Sequence, residues 1–180
     1  MSLKSFIKPW NGYAVRHLPA AAGIKIDPLD FTWCGKSDEN RWNARGEPTL
    51  YLACEKGVAL AEFARHFKEN RAAGLAQKLH RRKVFRFKIE LERTLDLCNP
   101  EICGLFSLTD GPSCFMNAKI ARATANFLRN ATSIQAVFVP SVAFMDDLSK
   151  WCLVIFLEKL KGDQSDYFKA IRSDGYFQIK

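Results

Sequence analysis

Between residues 41 and 63 the chain reads RWNARGEPTLYLACEKGVALAEF, and three of its side chains could do chemistry: Arg41, Tyr51 and Glu62. A guanidinium can grip a phosphate or carboxylate with two parallel hydrogen bonds. An aromatic ring can stack on a cationic ring, and a carboxylate favours positive charge that develops beside it. Each residue also has an ordinary explanation. Arg41 could be a surface ion pair, Tyr51 a cross-strand packing residue, and Glu62 a solvated helix residue. The choice depends on whether the surrounding elements bring the three together.

Those elements can be read from hydrophobic spacing. Gly46 and Pro48 mark a turn before 49-TLYLAC-54, whose alternation puts Leu50 and Leu52 on one face and Thr49, Tyr51 and Ala53 on the other. A helix is expected over about Val58 to Lys68, with Leu60, Phe63, Ala64 and Phe67 as its buried stripe. Glu62 then falls off the stripe, near Val58 and Arg65, on a side that reads as solvent. Upstream, 13-YAVRH-17 reads as a short strand carrying Arg16, and residues 18–40 as a long connection with little regular structure.

Downstream, residues 69–82 admit either a helix continuation or a loop. The segment 84-VFRFKIELER-93 alternates as a half-buried strand, and residues 94–116 read as irregular. Asn117 is placed to cap a helix to about Arg129, with Ile120, Thr124, Phe127 and Leu128 inward. Strands are expected at 134-IQAVFV-139, ending before Ser141, and at 151-WCLVIFLEKL-160; the last twenty residues have no clear pattern. These elements imply an α+β fold with a mixed, mainly antiparallel sheet, as one domain over residues 1–180.

Composition narrows the function classes. No apolar run reaches the length of a membrane span, and the N-terminal residues lack a signal-peptide core, so a cytoplasmic protein is expected. The six cysteines form no CxxC pair and match no zinc-ligand spacing, so buried free thiols, and no metal, are expected. The net charge of +8 fits either a solvated basic face or a basic cleft for a phosphate-bearing small molecule. A basic nucleic-acid-binding module is a further alternative, but no helix-turn-helix or RNA-binding signature accompanies 80-HRRK-83. Neither a dinucleotide fingerprint, a P-loop nor a G-x-S-x-G elbow occurs, and His17, His66 and His80 read as surface or capping residues.

The segments 40-NRWNARGEPTLYLACEKGVALAEF-63 and 137-VFVPS-141 together resemble the RES-domain family, named for its Arg, Glu and Ser positions. The strands 13-YAVRH-17 and 93-RTLDL-97 resemble that family's opening and middle strands, so the resemblance runs from about residue 12 to 158. Asn40 departs from the pattern, which has Gly before the Arg-Trp-Asn run, and residues 98–116 do not align readily.

The resemblance implies a fold like that of diphtheria-toxin-type ADP-ribosyltransferases, and a toxin of a toxin–antitoxin pair acting on NAD. Such proteins cleave the nicotinamide–ribose bond and pass ADP-ribose to phosphate or water, or alternatively to a protein. NAD is then a substrate rather than a cofactor, inorganic phosphate a co-substrate, and an Xre-type helix-turn-helix antitoxin the partner. The catalytic positions fall on Arg41, Tyr51, Glu62 and Ser141, with Arg16, Arg41, Trp42, Asn43 and Tyr51 as NAD-binding residues. On that reading Glu62 faces an oxocarbenium-like ribose, Tyr51 the nicotinamide and Arg41 a phosphate, while Ser141 orients the carboxylate or the acceptor. The four catalytic side chains are expected to converge on one pocket.

Overall fold

The computed structural model describes residues 2–20, 23, 25–37, 40–70 and 81–178. In chain order the elements are β1 (Lys8–Pro19), β2 (Thr49–Ala53), α1 (Lys56–Asn70), β3 (Arg81–Asp96), α2 (Pro100–Leu105), α3 (Ala118–Ala131), β4 (Ala136–Pro140), β5 (Trp151–Phe156) and β6 (Phe168–Gln178). Short 3-10 turns at Ser113–Met116 and Val142–Phe144 matter for the site. No helix among the described residues is long and apolar enough to cross a membrane.

The strands lie in the order β1-β2-β5-β4-β3-β6, and β1 also pairs with β3, so five of them close into a ring with β6 outside it on β3. Every pairing is antiparallel except β3 with β4, which run parallel over Thr94 to Asp96. The sheet is therefore mixed and mainly antiparallel, and with its few helices the architecture is α+β. Alternation divides the side chains between two cores. Leu50, Leu52, Phe87, Ile89, Leu153 and Ile155 fill one. Leu95, Val137, Val154 and Phe156 face the other, under α3 and Leu128. A smaller cluster of Val15, Ala53, Val58, Ala59, Val84 and Phe177 seats α1.

One break in the ring positions the site. β1 and β2 are paired only at Val15 and Ala53. Beyond that point β1 continues to Pro19 on its partner β3, while β2 stays on β5. The two strands part, and the gap between residues 15–18 and 49–53 is a cleft.

Several elements differ from the sequence expectation. Within 94–116, taken as irregular, Asn99 caps α2 by accepting from the Glu101 amide at 2.9 Å, with Pro100 at the first helical position. The C-terminal segment forms β6, whose alternation is interrupted at Gly175 with a left-handed φ of 85°. The inward face of α3 is Ala121, Thr124, Ala125 and Leu128, and Phe127 is 49% exposed. Small residues let α3 approach the sheet closely, so the large Phe127 is displaced outward to meet Phe106, with ring centroids 5.9 Å apart.

α1 departs from expectation in part: Leu60 and Phe63 pack against the cluster that seats it, as expected. Val58 and Ala59 are buried and Ala64 is exposed, because the helix packs on Val142–Phe144 as well as on β1 and β2. Asn117 does cap α3, accepting from the Lys119 amide. All six cysteines are free, but only Cys103 is fully buried. Residues 71–80, including His80, lie outside the described residues.

Candidate active site

The cleft has a volume of about 380 Å³ and receives Arg16 and His17 from β1, Tyr51 from β2, Glu62 from α1, Arg82 from β3 and Cys34 from the connection before β2. Because it opens through the sheet, it collects side chains from both faces. Arg16 stands on the face of its cross-strand partner Phe85, whereas His17 and Arg82 stand on the face of Val84.

Glu62 is held on three sides. Its Oε1 accepts from Ser141 Oγ at 2.6 Å and from the Ala143 amide at 3.0 Å. Its Oε2 accepts from Arg65 Nη2 at 3.0 Å and Nε at 3.2 Å, one turn along α1. Ser141 is fully buried directly after β4, with its own amide bound to the Lys150 carbonyl. Burial alone would raise the Glu62 pKa, but the donors on Ser141 and Ala143 and the Arg65 charge outweigh it and hold the carboxyl below its ordinary value. Glu62 is thus a fixed anion at the cleft, 21% exposed.

Tyr51 is fixed from the other side. Its hydroxyl accepts from the Trp42 amide at 3.0 Å and donates to Asn43 Oδ1 at 2.7 Å. Burial pushes its pKa well above the usual phenol range, so it stays a neutral donor. Asn43 Nδ2 in turn donates to the Gly35 carbonyl at 3.1 Å. Gly35 has φ of +80°, and a Cβ there would lie 1.8 Å from the Glu47 carbonyl oxygen, so only glycine allows this approach. The chain Tyr51–Asn43–Gly35 ties two connecting segments into one wall of the cleft.

Arg41 points elsewhere. Its guanidinium donates to the Phe115 carbonyl at 3.1 Å and to that of Met116. Trp42 is buried against Phe115, with ring centroids 4.9 Å apart, and Arg122 of α3 donates to the Asn40 carbonyl. Arg41 therefore fastens its loop to the Ser113–Met116 turn, and it does not line the cleft.

The seven residues singled out from the sequence thus separate into layers. Arg16, Tyr51 and Glu62 line the cleft. Ser141 stands behind Glu62, Trp42 and Asn43 stand behind Tyr51, and Arg41 grips the neighbouring turn.

Arg16 also does structural duty. It donates to the Pro28 carbonyl at 2.8 Å, the Asp30 carbonyl at 3.2 Å and Cys34 Sγ at 3.4 Å, holding the loop against β1. Burial lowers its pKa, but a guanidinium stays charged at neutral pH.

Sequence reasoning missed His17, Arg65 and Arg82. Read as a surface or capping residue, His17 is instead packed edge-on against Phe63 and Phe177, and its Nδ1 accepts from Arg82 Nε at 3.1 Å. Burial, then the charges of Arg82 and Arg16, push its pKa down to about 3, so the ring is neutral. Arg82, part of the run read as a solvated basic face, is only 8% exposed. Its alternation with Val84 was the available signal, but its meaning required the β1–β3 register. Arg65 carried a plainer signal, lying three residues beyond Glu62 on one helix.

Comparison with solved structures finds the same architecture in the crystal structure of the M. tuberculosis MbcT–MbcA toxin–antitoxin complex. The similarity has a TM-score of 0.61 at 16% sequence identity and covers 96% of this chain and 86% of the matched one. A search of curated proteins gives no match. The RES-domain family model matches residues 17–169, a span that contains Tyr51, the fixed Glu62 and its Ser141 support, with Arg16 just before it. The chain belongs to the RES-domain family.

Proposed function

We propose that this chain is an NAD-consuming enzyme of the toxin type, which cleaves the nicotinamide–ribose bond and passes ADP-ribose to phosphate or water. The observation that carries the reading is the fixed, ionised Glu62 at the edge of a cleft whose other walls bear an aromatic phenol and two guanidiniums. Breaking the bond to nicotinamide leaves oxocarbenium-like positive charge on the ribose. A carboxylate already oriented by Ser141 and Ala143 stabilises that charge without reorganising during the reaction. Arg65 shares Oε2, so this oxygen is the one available to a ribose hydroxyl when the ion pair opens.

Tyr51 contributes its ring to the cleft, since its hydroxyl is engaged with Trp42 and Asn43. In this reading Arg41 acts from the loop that carries Trp42 and Asn43, and contact with substrate requires it to leave the Phe115 and Met116 carbonyls. The parting of β1 and β2 supports a fold related to the diphtheria-toxin-type ADP-ribosyltransferases. Similarity to a structure of a toxin–antitoxin complex supports a toxin paired with an antitoxin. On this reading the toxin is cytoplasmic, and the antitoxin is of the Xre helix-turn-helix type and covers the cleft.

Transfer of ADP-ribose to a protein uses the same donor chemistry and differs only in the acceptor. Incubating the protein with NAD, with and without inorganic phosphate, and separating the products tests both readings. Nicotinamide release that requires phosphate identifies a phosphorylase, and release without it a glycohydrolase. No release under either condition contradicts the proposal.

A further inference from the structure

Arg82 is a buried cation that lacks an anionic partner among the described residues. It is 8% exposed, and the only hydrogen bond of its guanidinium among the described residues runs from Nε to His17 Nδ1. Its Nη1 and Nη2 have no acceptor among the described residues, and its guanidinium lies 4.5 Å from the Phe63 ring centroid. Burial, and then the charge of another cation, Arg16, lower its pKa to about 10 and leave it charged at neutral pH. Glu62 lines the same cleft, but its oxygens are taken by Ser141, Ala143 and Arg65. Burying an uncompensated guanidinium is costly, and a fold that keeps one has a use for it.

His17 completes the arrangement. Because Nδ1 accepts from Arg82, the neutral ring carries its proton on Nε2, a donor with no acceptor among the described residues. Arg82 and His17 thus offer two guanidinium N–H groups and one imidazole N–H within a single wall of the cleft. They are fixed by Phe63, Phe177 and the β3 register with Pro19 and Phe177. A planar fork beside a neutral donor matches the oxygens of a phosphoryl group.

We infer that Arg82 and His17 form a phosphoryl-binding subsite at the β3 side of the cleft, with Arg16 supplying a second positive charge. The subsite rests on the reading of the cleft as a substrate site. Its ligand is a phosphoryl oxyanion, which has two sources: the diphosphate of a dinucleotide or free inorganic phosphate. Arg82 lies outside the segments that carry the family resemblance in this sequence, and His17 is the last residue of 13-YAVRH-17, where the resemblance gives a role to Arg16 alone.

The test is direct binding, independent of turnover. Calorimetric titration of the full-length protein and its Arg82→Gln variant with ADP-ribose, inorganic phosphate and nicotinamide riboside separates the sources. A loss of at least about tenfold in ADP-ribose affinity, with nicotinamide riboside unchanged, assigns the subsite to the diphosphate. A comparable loss for inorganic phosphate alone assigns it to the free anion. Thermal melting provides a second readout: the anion that binds should raise the wild-type Tm and fail to raise that of Arg82→Gln. Arg82→Lys, which keeps the charge but not the fork, should recover part of the affinity.

Equal affinities in wild type and a folded Arg82→Gln overturn the subsite, as does an equal loss for nicotinamide riboside, which carries no phosphate. Arg82-dependent binding without nicotinamide release from NAD keeps the subsite and removes the proposed reaction.

Discussion

Ser141 Oγ lies 2.6 Å from Glu62 Oε1, joining the end of β4 to the middle of α1. This contact links physically the two residues that the sequence resemblance puts at the family's Ser and Glu positions: the serine fixes the orientation and charge of the carboxylate. Ser141→Ala leaves one Oε1 partner, the Ala143 amide. The variant should lose about 1–2 kcal/mol of stability and roughly ten- to a hundredfold in turnover, with the pH profile displaced upward because the carboxyl loses a donor that holds its pKa down. Glu62 contributes stability above its ordinary pKa of 4.5 that is lost as pH falls through its lower folded value, and Ser141→Ala should shorten that acid-stable range. An unchanged pH profile would show that the serine is only a packing residue.

Tyr51 makes a separable case. Tyr51→Phe keeps the ring but strips the Trp42 amide and Asn43 Oδ1 of their shared partner. A stability loss of about 1–3 kcal/mol is expected, with KM for NAD rising more than kcat falls, because the wall loosens while the aromatic surface remains. Chemical denaturation and steady-state kinetics measure the two effects. A collapse of kcat at constant KM would instead give the hydroxyl a part in the chemical step.

For Arg41, the structure assigns a mechanical role that the sequence did not anticipate. Arg41→Ala should lower Tm by several degrees, since it releases the loop from the Phe115 and Met116 carbonyls. Turnover should fall with it, because Trp42 and Asn43 ride on that loop. A variant that melts like wild type yet loses NAD binding would place the guanidinium on the substrate.

His17 predicts an acid limit to stability. Its folded pKa is about 3 against an ordinary 6.5, so below pH 6.5 the unfolded chain takes up a proton that the folded chain refuses. The contribution is complete above pH 6.5 and is lost as pH falls toward 3, amounting to roughly 2–3 kcal/mol by pH 4.5. Urea melts of wild type and His17→Asn across this range should converge as the pH falls. Parallel curves would mean that the ring titrates normally.

Much of this was legible in the sequence, and the failures have physical causes. The alternation of 49-TLYLAC-54 correctly turned Tyr51 away from Leu50 and Leu52. The expected stripe of α1 held only in part: Leu60 and Phe63 pack against the cluster that seats the helix, but Ala64 is exposed, while Val58 and Ala59 are buried. That error made Glu62 look solvated on local evidence, when the Val142–Phe144 turn covers its side of the helix. Phe127 misled in the same way, since small Ala121 and Ala125 set how close α3 lies. The expected single pocket became a lined cleft with supports behind it, because buried polar side chains are used to hold others in place. The pairing of His17 with Arg82 joins residues far apart in the chain, and only the strand register brings them together.

The central claim is that Glu62 is the carboxylate that supports cleavage of NAD. It is tested most directly by nicotinamide release from NAD, with phosphate present, by wild type and Glu62→Gln at equal concentration and verified fold. The account predicts steady release by the wild type and a fall of at least about a hundredfold in the variant, with ADP-ribose binding retained. Equal rates in the two proteins would contradict it.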